Sequence, residues 1–407
     1  MKVFLVAGEL SGDRLGGALM QGLRQLVPDV EFAGVGGPLM AAQGLESLFP
    51  MDELSVMGIA EVLPKYRHLV KRMHQTAEAA LDWQPDVMVT IDSPDFCLRV
   101  AREVKAKSDL RCVHYVAPSV WAWRPKRAEK MAKHVDHVLA LLPFEPPYME
   151  AVGLRCDFVG HPVVTEPVAS EAEVAEFRQR HGIGDAPLLL ALPGSRRGEV
   201  GRLTPTFGEV VARLLRQKPD LKVVVPAAAP VADLVKELVA DWKVAPIVLD
   251  PNEMDADTAQ AEKRAAFKAA DVALAASGTV SLELAASDTP MVIGYDMNWI
   301  SWQIMSRMAL IDTVTLANLV AESRTVPEFL GPAFQAEEIA PALLRVLEDA
   351  TEQREAMSLT MERLGRGQEF PGVGEWGAGV SETWRGGGGE RKRVLGALGG
   401  HGKCGLG

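Results

Sequence analysis

The chain has 407 residues, of which 48% are hydrophobic and 24% charged, a composition typical of soluble globular proteins that excludes disordered, collagen-like and disulfide-stapled chains. The formal net charge of -11 argues against nucleic acid as the main partner. The cysteines Cys97, Cys112, Cys156 and Cys404 form no CxxC pair and no Cys/His cluster. The sequence therefore predicts no metal site and a reducing compartment.

The amino terminus runs directly into the apolar segment 3–7. This segment is too short for the core of a signal peptide, and polar residues follow it instead of a small-residue cleavage site. No apolar run reaches the roughly 18 residues that a membrane-spanning helix needs. We therefore expect a cytoplasmic protein, either free or resting on a membrane surface.

Ten short apolar runs predict β-strands, and the amphipathic stretches between them predict helices. Several runs are apolar throughout, as in a parallel sheet that is covered on both faces. This alternation predicts an α/β fold of two doubly wound, Rossmann-like domains with parallel sheets. The predicted strands are 2–7, 30–34, 87–91, 112–116, 135–141, 188–192, 221–226, 246–249, 272–276 and 291–295.

The segment 160–167 contains two prolines and lies between the two series of strands, so the sequence predicts a domain break there. We expect an amino-terminal domain over 1–165, a carboxyl-terminal domain over 166–345 and a terminal helix over 346–364. The glycine-rich segment 365–407 cannot bury enough apolar area to offset its ordering entropy, so we expect it to be disordered. A natural flexible tail and a frameshifted carboxyl terminus both remain open.

Two loops in the first half follow predicted strands and carry polar residues. The first contains Ser11, Gly12 and Asp13, which suit either a polar ligand or an ordinary turn whose side chains cap a helix. The loop matches neither the dinucleotide-binding nor the Walker pattern. The second contains Asp92 and Asp95. Asp92 is a candidate general base because it ends a buried strand, although both carboxylates would also suit simple helix caps.

Two loops in the second half suit a diphosphate. Ser195 and Arg196 follow the strand 188–192, where a glycine permits close approach and the arginine supplies a fixed charge, although a solvated arginine pair would look the same. Ser277, Gly278 and Thr279 begin a helix after the strand 272–276. Their hydroxyl and N–H groups can bind phosphate. A glutamate one helical turn later could reach ribose hydroxyls.

Two segments of the first half mix basic and apolar residues, a pattern that suits a membrane interface facing anionic lipids. Ordinary amphipathic helices with a solvated basic face would show the same pattern. The candidate membrane-contact residues are Val56, Met57, Lys65, Arg67, Lys71, Arg72, Trp121 and Trp123.

Taken in order, these loops resemble the lipid-A-disaccharide synthase family. The similarity extends over roughly residues 1–364, and the combination of WAWR, IDSPDF and PGSR is highly specific. The matching strings are AGELSGD at 7–13, GVGG at 34–37, MGIAEVLP at 57–64, IDSPDF at 91–96, YVAPSVWAWRPKR at 115–127, FVGHP at 158–162, LPGSRRGEV at 192–200 and ASGTVSLE at 276–283.

The resemblance implies a GT-B glycosyltransferase in which two Rossmann-like domains face a cleft. The implied reaction is the inverting, metal-independent condensation of UDP-2,3-diacylglucosamine with 2,3-diacylglucosamine 1-phosphate, at the cytoplasmic face of the inner membrane of Gram-negative bacteria. It would give the β-1′,6-linked disaccharide and UDP, with no cofactor. By resemblance, Asp92 is the base, Ser11–Asp13 face the cleft, Arg196 and Ser277–Thr279 stabilise the leaving UDP, and Glu283 and Asn318 contact the donor.

The chain departs from the family pattern at three places. Ala317 stands where the family usually has proline, and Gly331 stands where it usually has glutamine. The carboxyl terminus is glycine-rich, whereas related chains end in ordered helices. Two alternatives therefore stay open, namely another UDP-sugar GT-B enzyme such as an epimerase, and an impaired UDP-sugar binder. His114 and His161 stay open as bases, and homo-oligomerisation stays open as well.

Overall fold

The computed structural model describes residues 1–54 and 59–367, with the side chains of 59–65, 300, 301 and 304 left aside. The described chain divides into two compact units. The amino-terminal unit is Met1–Gly160 and the carboxyl-terminal unit begins at His161. The division therefore lies between Gly160 and His161.

The amino-terminal unit is built on a six-stranded sheet in the order β2-β1-β3-β4-β5-β6, in which all neighbouring strands are parallel. Its strands are β1 (Lys2–Ala7), β2 (Glu31–Val35), β3 (Val87–Ile91), β4 (Cys112–Tyr115), β5 (His137–Ala140) and β6 (Arg155–Phe158). Its helices are α1 (Leu10–Leu26), α2 (Pro38–Ala42), α3 (Ile59–Trp83), α4 (Pro94–Lys105), α5 (Lys126–Met131) and α6 (Pro146–Glu150), with a 3₁₀ turn at Met51–Glu53.

The core of this unit lies on both faces of the sheet because successive side chains of a strand point to opposite faces. Phe4 and Val6 of β1 belong to a cluster with residues of α3 and α4. Val3 and Leu5 belong to a second cluster, with residues of α1 and α2. Burying each large apolar side chain contributes about 1.5–3 kcal/mol. Strands that are apolar throughout are therefore favourable here.

The carboxyl-terminal unit repeats this plan with the parallel order β12-β11-β10-β7-β8-β9. Its strands are β7 (Leu188–Leu192), β8 (Lys222–Pro226), β9 (Ile247–Leu249), β10 (Val272–Ala275), β11 (Met291–Tyr295) and β12 (Glu328–Leu330). Its helices are α7 (Glu171–Arg180), α8 (Arg197–Gln217), α9 (Ala232–Val239), α10 (Ala256–Ala269), α11 (Val280–Ala286), α12 (Trp299–Met308), α13 (Leu316–Ala321), α14 (Ala336–Glu348) and α15 (Thr351–Arg363). Short 3₁₀ turns lie at Pro162–Val164, Ala229–Val231, Pro251–Glu253 and Gly331–Ala333.

The prediction of two doubly wound parallel sheets is confirmed, with differences in detail. The strands β6 and β12 were not predicted. The region 346–364, expected to be one helix, contains the end of α14 and the separate helix α15. Helix α15 packs onto this unit, where Thr360 donates a hydrogen bond to the Ala317 carbonyl at 3.1 Å. Most of the predicted tail, 368–407, lies outside the described residues.

Within residues 1–54 and 59–367, no helix combines the length and the apolar character needed to cross a bilayer. The same part of the chain brings together no group of three His, Cys, Asp or Glu side chains able to hold a metal ion.

Candidate active-site residues

The amino-terminal sheet reverses its strand order between β1 and β3, which are neighbours in space but not in sequence. Ala7, the last residue of β1, pairs with Ile91, the last residue of β3. The loops that follow these two strands therefore emerge side by side. Doubly wound sheets bind ligands in the crevice at such a reversal.

Asp92 lies at this reversal in an unusual backbone conformation. Asp92 has a φ of 52° and Ser93 a φ of 41°, in the left-handed region that residues with a Cβ rarely adopt. The Asp92 N–H donates to the Tyr115 carbonyl at 2.9 Å. The Ser11 hydroxyl donates to Oδ2 of Asp92, also at 2.9 Å. The structure thus brings together two of the predicted site residues, which are 81 positions apart in the sequence.

Two glycines allow the first loop to approach the second. A Cβ on Gly8 would lie 2.8 Å from the Ser93 hydroxyl, and one on Gly12 would lie 3.2 Å from the Ile91 carbonyl oxygen. Larger residues at either position would push α1 away from the end of β3. Gly12 therefore sets the approach of α1. The Ser93 hydroxyl itself is buried and has no hydrogen-bond partner among the described residues.

Asp13 is buried against α2, and the alternative in which Ser11 or Asp13 caps α1 does not apply. The N-cap of α1 is Glu9, and no side chain caps it. The Asp13 carboxylate is 1% exposed. It accepts the N–H groups of Gly37, Leu39 and Met40 at 2.9–3.0 Å. Asp13 thus satisfies the free N–H groups at the start of α2, which is a structural role.

Of the two histidines that the sequence left open as bases, His114 is buried and His161 is half-buried. Burial lowers the pKa of His114 to about 4, with a further contribution from Arg127. Burial also lowers the pKa of His161 to about 4. Nδ1 of His161 accepts the Val163 N–H at 3.1 Å. His114 is 0% exposed within β4, whereas Asp92 is half-buried at the strand reversal. Accessibility therefore favours Asp92 over His114 as the candidate base.

The carboxyl-terminal sheet reverses its strand order between β7 and β10. Leu192 pairs with Ala275, the last residue of β10. The loops that follow are joined by the Ala276 N–H, which donates to the Leu192 carbonyl at 2.9 Å. The two loops predicted to bind a diphosphate therefore lie next to each other.

Arg196 occupies the N-cap of α8, and its side chain is 59% exposed. The guanidinium donates from Nη1 to Oε1 of Glu199 at 3.0 Å. Ser195, beside it, is exposed. The 21-residue helix α8 directs its free N–H groups toward these residues. A cation at a helix N-terminus makes a strong site for an anion.

Glu199 was missed by the sequence analysis, although its position three residues after Arg196 on a helix is a usable signal. Its side chain is 16% exposed. Oε1 also accepts the Tyr295 hydroxyl at 3.3 Å. A Cβ on Gly194, which has a φ of 112°, would lie 2.8 Å from Oε2. Glu199 thus links the Arg196 loop to the end of β11.

The loop after β10 contains Ser277, Gly278 and Thr279, of which Ser277 is half-buried. The Ser277 hydroxyl donates to the Val314 carbonyl at 3.4 Å. Gly278 has a φ of 150° and would tolerate a Cβ only with backbone strain. Thr279 is exposed at the N-cap of α11, where its side chain caps nothing. Its hydroxyl therefore stays available to a ligand.

The predicted donor contacts Glu283 and Asn318 are both occupied within the protein. Glu283 pairs with Lys263 Nζ at 2.5 Å. Asn318 is 1% exposed. Its Nδ2 donates to Thr313 and Val326, and its Oδ1 accepts from Val326 N–H and Ser323. The expectation that Asn318 contacts the donor does not fit this arrangement, because every hydrogen-bonding site of the amide is used.

Glu328, also missed, organises the same region. Its Oε1 accepts the Thr313 hydroxyl at 2.7 Å and the N–H groups of Val314 and Thr315 at 3.0 and 2.7 Å. The Thr315 hydroxyl donates to the same oxygen. Because the Ser277 hydroxyl donates a hydrogen bond to the Val314 carbonyl, Glu328 supports the loop after β10 indirectly.

The candidate membrane-contact residues divide into three groups. Val56, Met57 and the side chain of Lys65 lie outside the described part of the chain, whereas Arg67 and Lys71 are exposed on α3. Arg72 is half-buried and paired with Glu53, with Nε–Oε2 and Nη2–Oε1 distances of 2.7 and 2.8 Å. Together with His68, it lowers the pKa of Glu53 to about 2.

The two tryptophans differ in exposure. Trp121 is 7% exposed and donates from Nε1 to Oε1 of Glu145 at 3.2 Å. Its expected membrane contact is therefore inconsistent with its position. Trp123 is half-buried, with the Arg124 guanidinium 3.9 Å from its ring centroid. This is a cation–π arrangement at the surface.

The amino-acid sequence is similar to those of known proteins over most of its length. A family model described as lipid-A-disaccharide synthetase matches residues 3–370. The lipid-A-disaccharide synthase of Ruegeria pomeroyi is 64% identical over 92% of this chain and 93% of its own. That of Rhodospirillum centenum is 48% identical over 91% of each chain.

Among solved structures, the UDP-N-acetylglucosamine 2-epimerase of Neisseria meningitidis, bound to UDP-GlcNAc, superposes with a TM-score of 0.60. It is 12% identical, over 94% of this chain and 99% of that one. At this identity the likeness concerns the fold, and it agrees with the predicted GT-B class.

Proposed function

The chain belongs to the lipid-A-disaccharide synthetase family, and from that premise we propose that it joins UDP-2,3-diacylglucosamine to 2,3-diacylglucosamine 1-phosphate. The products would be the β-1′,6-linked disaccharide 1-phosphate and UDP. One observation carries the proposal beyond the family name. Each unit has chemically suited residues at the strand reversal of its sheet, Asp92 in the first and Arg196 in the second.

On the acceptor side, Asp92 takes the proton of the 6-hydroxyl as that oxygen attacks the anomeric carbon of the donor. One carboxylate oxygen, Oδ2, accepts the Ser11 hydroxyl. The other, Oδ1, is assigned to the substrate hydroxyl. A positioned base of this kind contributes about 10²–10⁴-fold to the rate.

On the donor side, UDP leaves with increasing negative charge on its diphosphate. Arg196 places a fixed positive charge at the start of α8, where the helix N–H groups also favour an anion. The exposed hydroxyls of Ser195 and Thr279 and the N–H groups around Gly278 supply further donors. These groups favour the departing diphosphate more than the sugar-linked diphosphate of the ground state, which carries less negative charge, as leaving-group stabilisation requires.

The acylated substrates require access to a lipid surface, and we place the enzyme peripherally on the cytoplasmic face of the inner membrane. The exposed Arg67 and Lys71 on α3 support this placement because cations near an anionic bilayer contribute about 1 kcal/mol each. Trp123 with Arg124 offers an amphipathic contact of the kind found at membrane interfaces.

The test is a turnover assay on the full chain. The two acylated substrates are mixed in detergent micelles, and the disaccharide and UDP are followed by mass spectrometry. We expect both products in equal amounts. UDP binding without turnover would favour the impaired binder, and conversion of UDP-N-acetylglucosamine alone would favour an epimerase.

A further inference from the structure

We propose that Ser11 is a positioning residue, whose hydroxyl fixes the Asp92 carboxylate so that Oδ1 faces the substrate hydroxyl. This inference rests on the proposed function, in which Asp92 is the base. It rests on the hydrogen bond from Ser11 Oγ to Asp92 Oδ2 at 2.9 Å, which joins an exposed serine to a half-buried aspartate.

The hydroxyl of Ser11 does not cap the start of its own helix, α1. A serine caps a helix from the N-cap position, and Ser11 lies two residues beyond it, as the second residue of α1. Here the N-cap is Glu9, without a side-chain capping bond. The Ser11 hydroxyl instead reaches across the reversal to the neighbouring strand end. A solvent-exposed hydrogen bond contributes little to stability, so its value lies in the orientation of the carboxylate.

The support of Ser11 is rigid, as a positioning role requires. The Asp13 N–H donates to the Glu9 carbonyl at 2.9 Å, which closes the first turn of α1. The Asp13 carboxylate binds the start of α2. Gly12 seats the same turn against the Ile91 carbonyl. Ser11 therefore directly precedes two residues, Gly12 and Asp13, that are fixed against the rest of the unit.

Asp92 needs such support because its backbone alone does not fix its carboxylate. The residue is anchored through its N–H to the Tyr115 carbonyl, but its side chain can still rotate. A misplacement of about 1 Å in a reacting group can cost on the order of 10²-fold in rate. A single hydrogen bond to one carboxylate oxygen removes that freedom.

The experiment compares Ser11→Ala, Ser11→Thr, Gln21→Ala and Asp92→Asn with the unmodified chain. The threonine variant keeps the hydroxyl, and Gln21→Ala removes an exposed polar side chain from the same helix as a matched control. For each variant we would measure kcat and KM in the micelle assay, UDP affinity by calorimetry, and the melting temperature. The last two report on donor binding and on folding.

We expect Ser11→Ala to lower kcat by about 10- to 100-fold, with UDP affinity and melting temperature unchanged. Ser11→Thr should recover most of the rate, and Gln21→Ala should retain all of it. An unchanged kcat in Ser11→Ala, or a Ser11→Thr as slow as Ser11→Ala, would overturn the positioning role. An active Asp92→Asn would instead overturn the proposed base, which separates the two failures.

Discussion

Glu145 provides a test of the amino-terminal unit that is independent of catalysis. Its carboxyl group is 3% exposed. Burial raises its pKa from the ordinary 4.5 to about 7, despite hydrogen bonds from Leu142 N–H and Trp121 Nε1. The folded state therefore binds a proton more tightly than the unfolded state. Between these pH values, stability must fall as pH rises, because the folded protein has to release that proton.

The substitution Glu145→Gln removes this titration while keeping a carbonyl oxygen as an acceptor. The gap between 4.5 and about 7 corresponds to about 3 kcal/mol. Relative to the variant, the unmodified chain should lose up to about 3 kcal/mol of unfolding free energy between pH 4.5 and 7, and no more above pH 7. Urea unfolding of both proteins at pH 5, 6, 7 and 8 measures the difference. A difference independent of pH would refute the reasoning.

Three further predictions concern the two units. Asn318→Ala leaves the buried Val326 N–H without its acceptor, so urea unfolding should show a loss of about 1–3 kcal/mol; UDP affinity, measured by calorimetry, should change little. Arg196→Ala removes a charge-assisted contact and should weaken UDP affinity by about 10- to 100-fold in the same calorimetric assay. The pair Arg67→Glu and Lys71→Glu should reduce sedimentation with phosphatidylglycerol vesicles but not with neutral ones, and equal binding to both would contradict the proposed surface.

The sequence predicted the interior of both sheets because interior strands bury both faces and are apolar throughout. It missed β6 and β12, each of which is one of the two outer strands of its sheet; the other outer strands, β2 and β9, were predicted. Arg155 and Asp157 in β6, and Glu328 at the start of β12, interrupt the apolar pattern. An edge strand pairs on one side only, so its side chains carry less of the apolar signal.

The position of the candidate site was also predictable, because the loops after the two strands that flank a strand reversal in a doubly wound sheet emerge side by side. The roles of individual side chains were less predictable from the sequence. Asp13 and Asn318 have the residue types of ligand contacts, but their partners are N–H groups brought close only by tertiary folding. Glu199 and Glu328 were missed for the same reason, since their partners at Tyr295 and in 313–315 are distant in sequence.

Trp121 illustrates the limit of composition as a guide to membrane contact. Basic residues surround it in the sequence, yet the indole points into the unit and bonds to Glu145. A tryptophan beside cations is compatible with either environment, because one end of the ring is apolar and the other donates a hydrogen bond. Here the buried carboxylate of Glu145, which accepts the indole N–H, decides that Trp121 lies inside the unit.

The central claim is that Asp92 is the base of a glycosyl transfer, and its most direct test is the turnover of Asp92→Asn. This variant keeps the size of the side chain but removes its basicity. Asp109→Asn, at an exposed aspartate that precedes β4, serves as the matched control. We expect Asp92→Asn to lower kcat at least about 100-fold with UDP affinity unchanged, while Asp109→Asn stays fully active. Normal turnover by Asp92→Asn would contradict it.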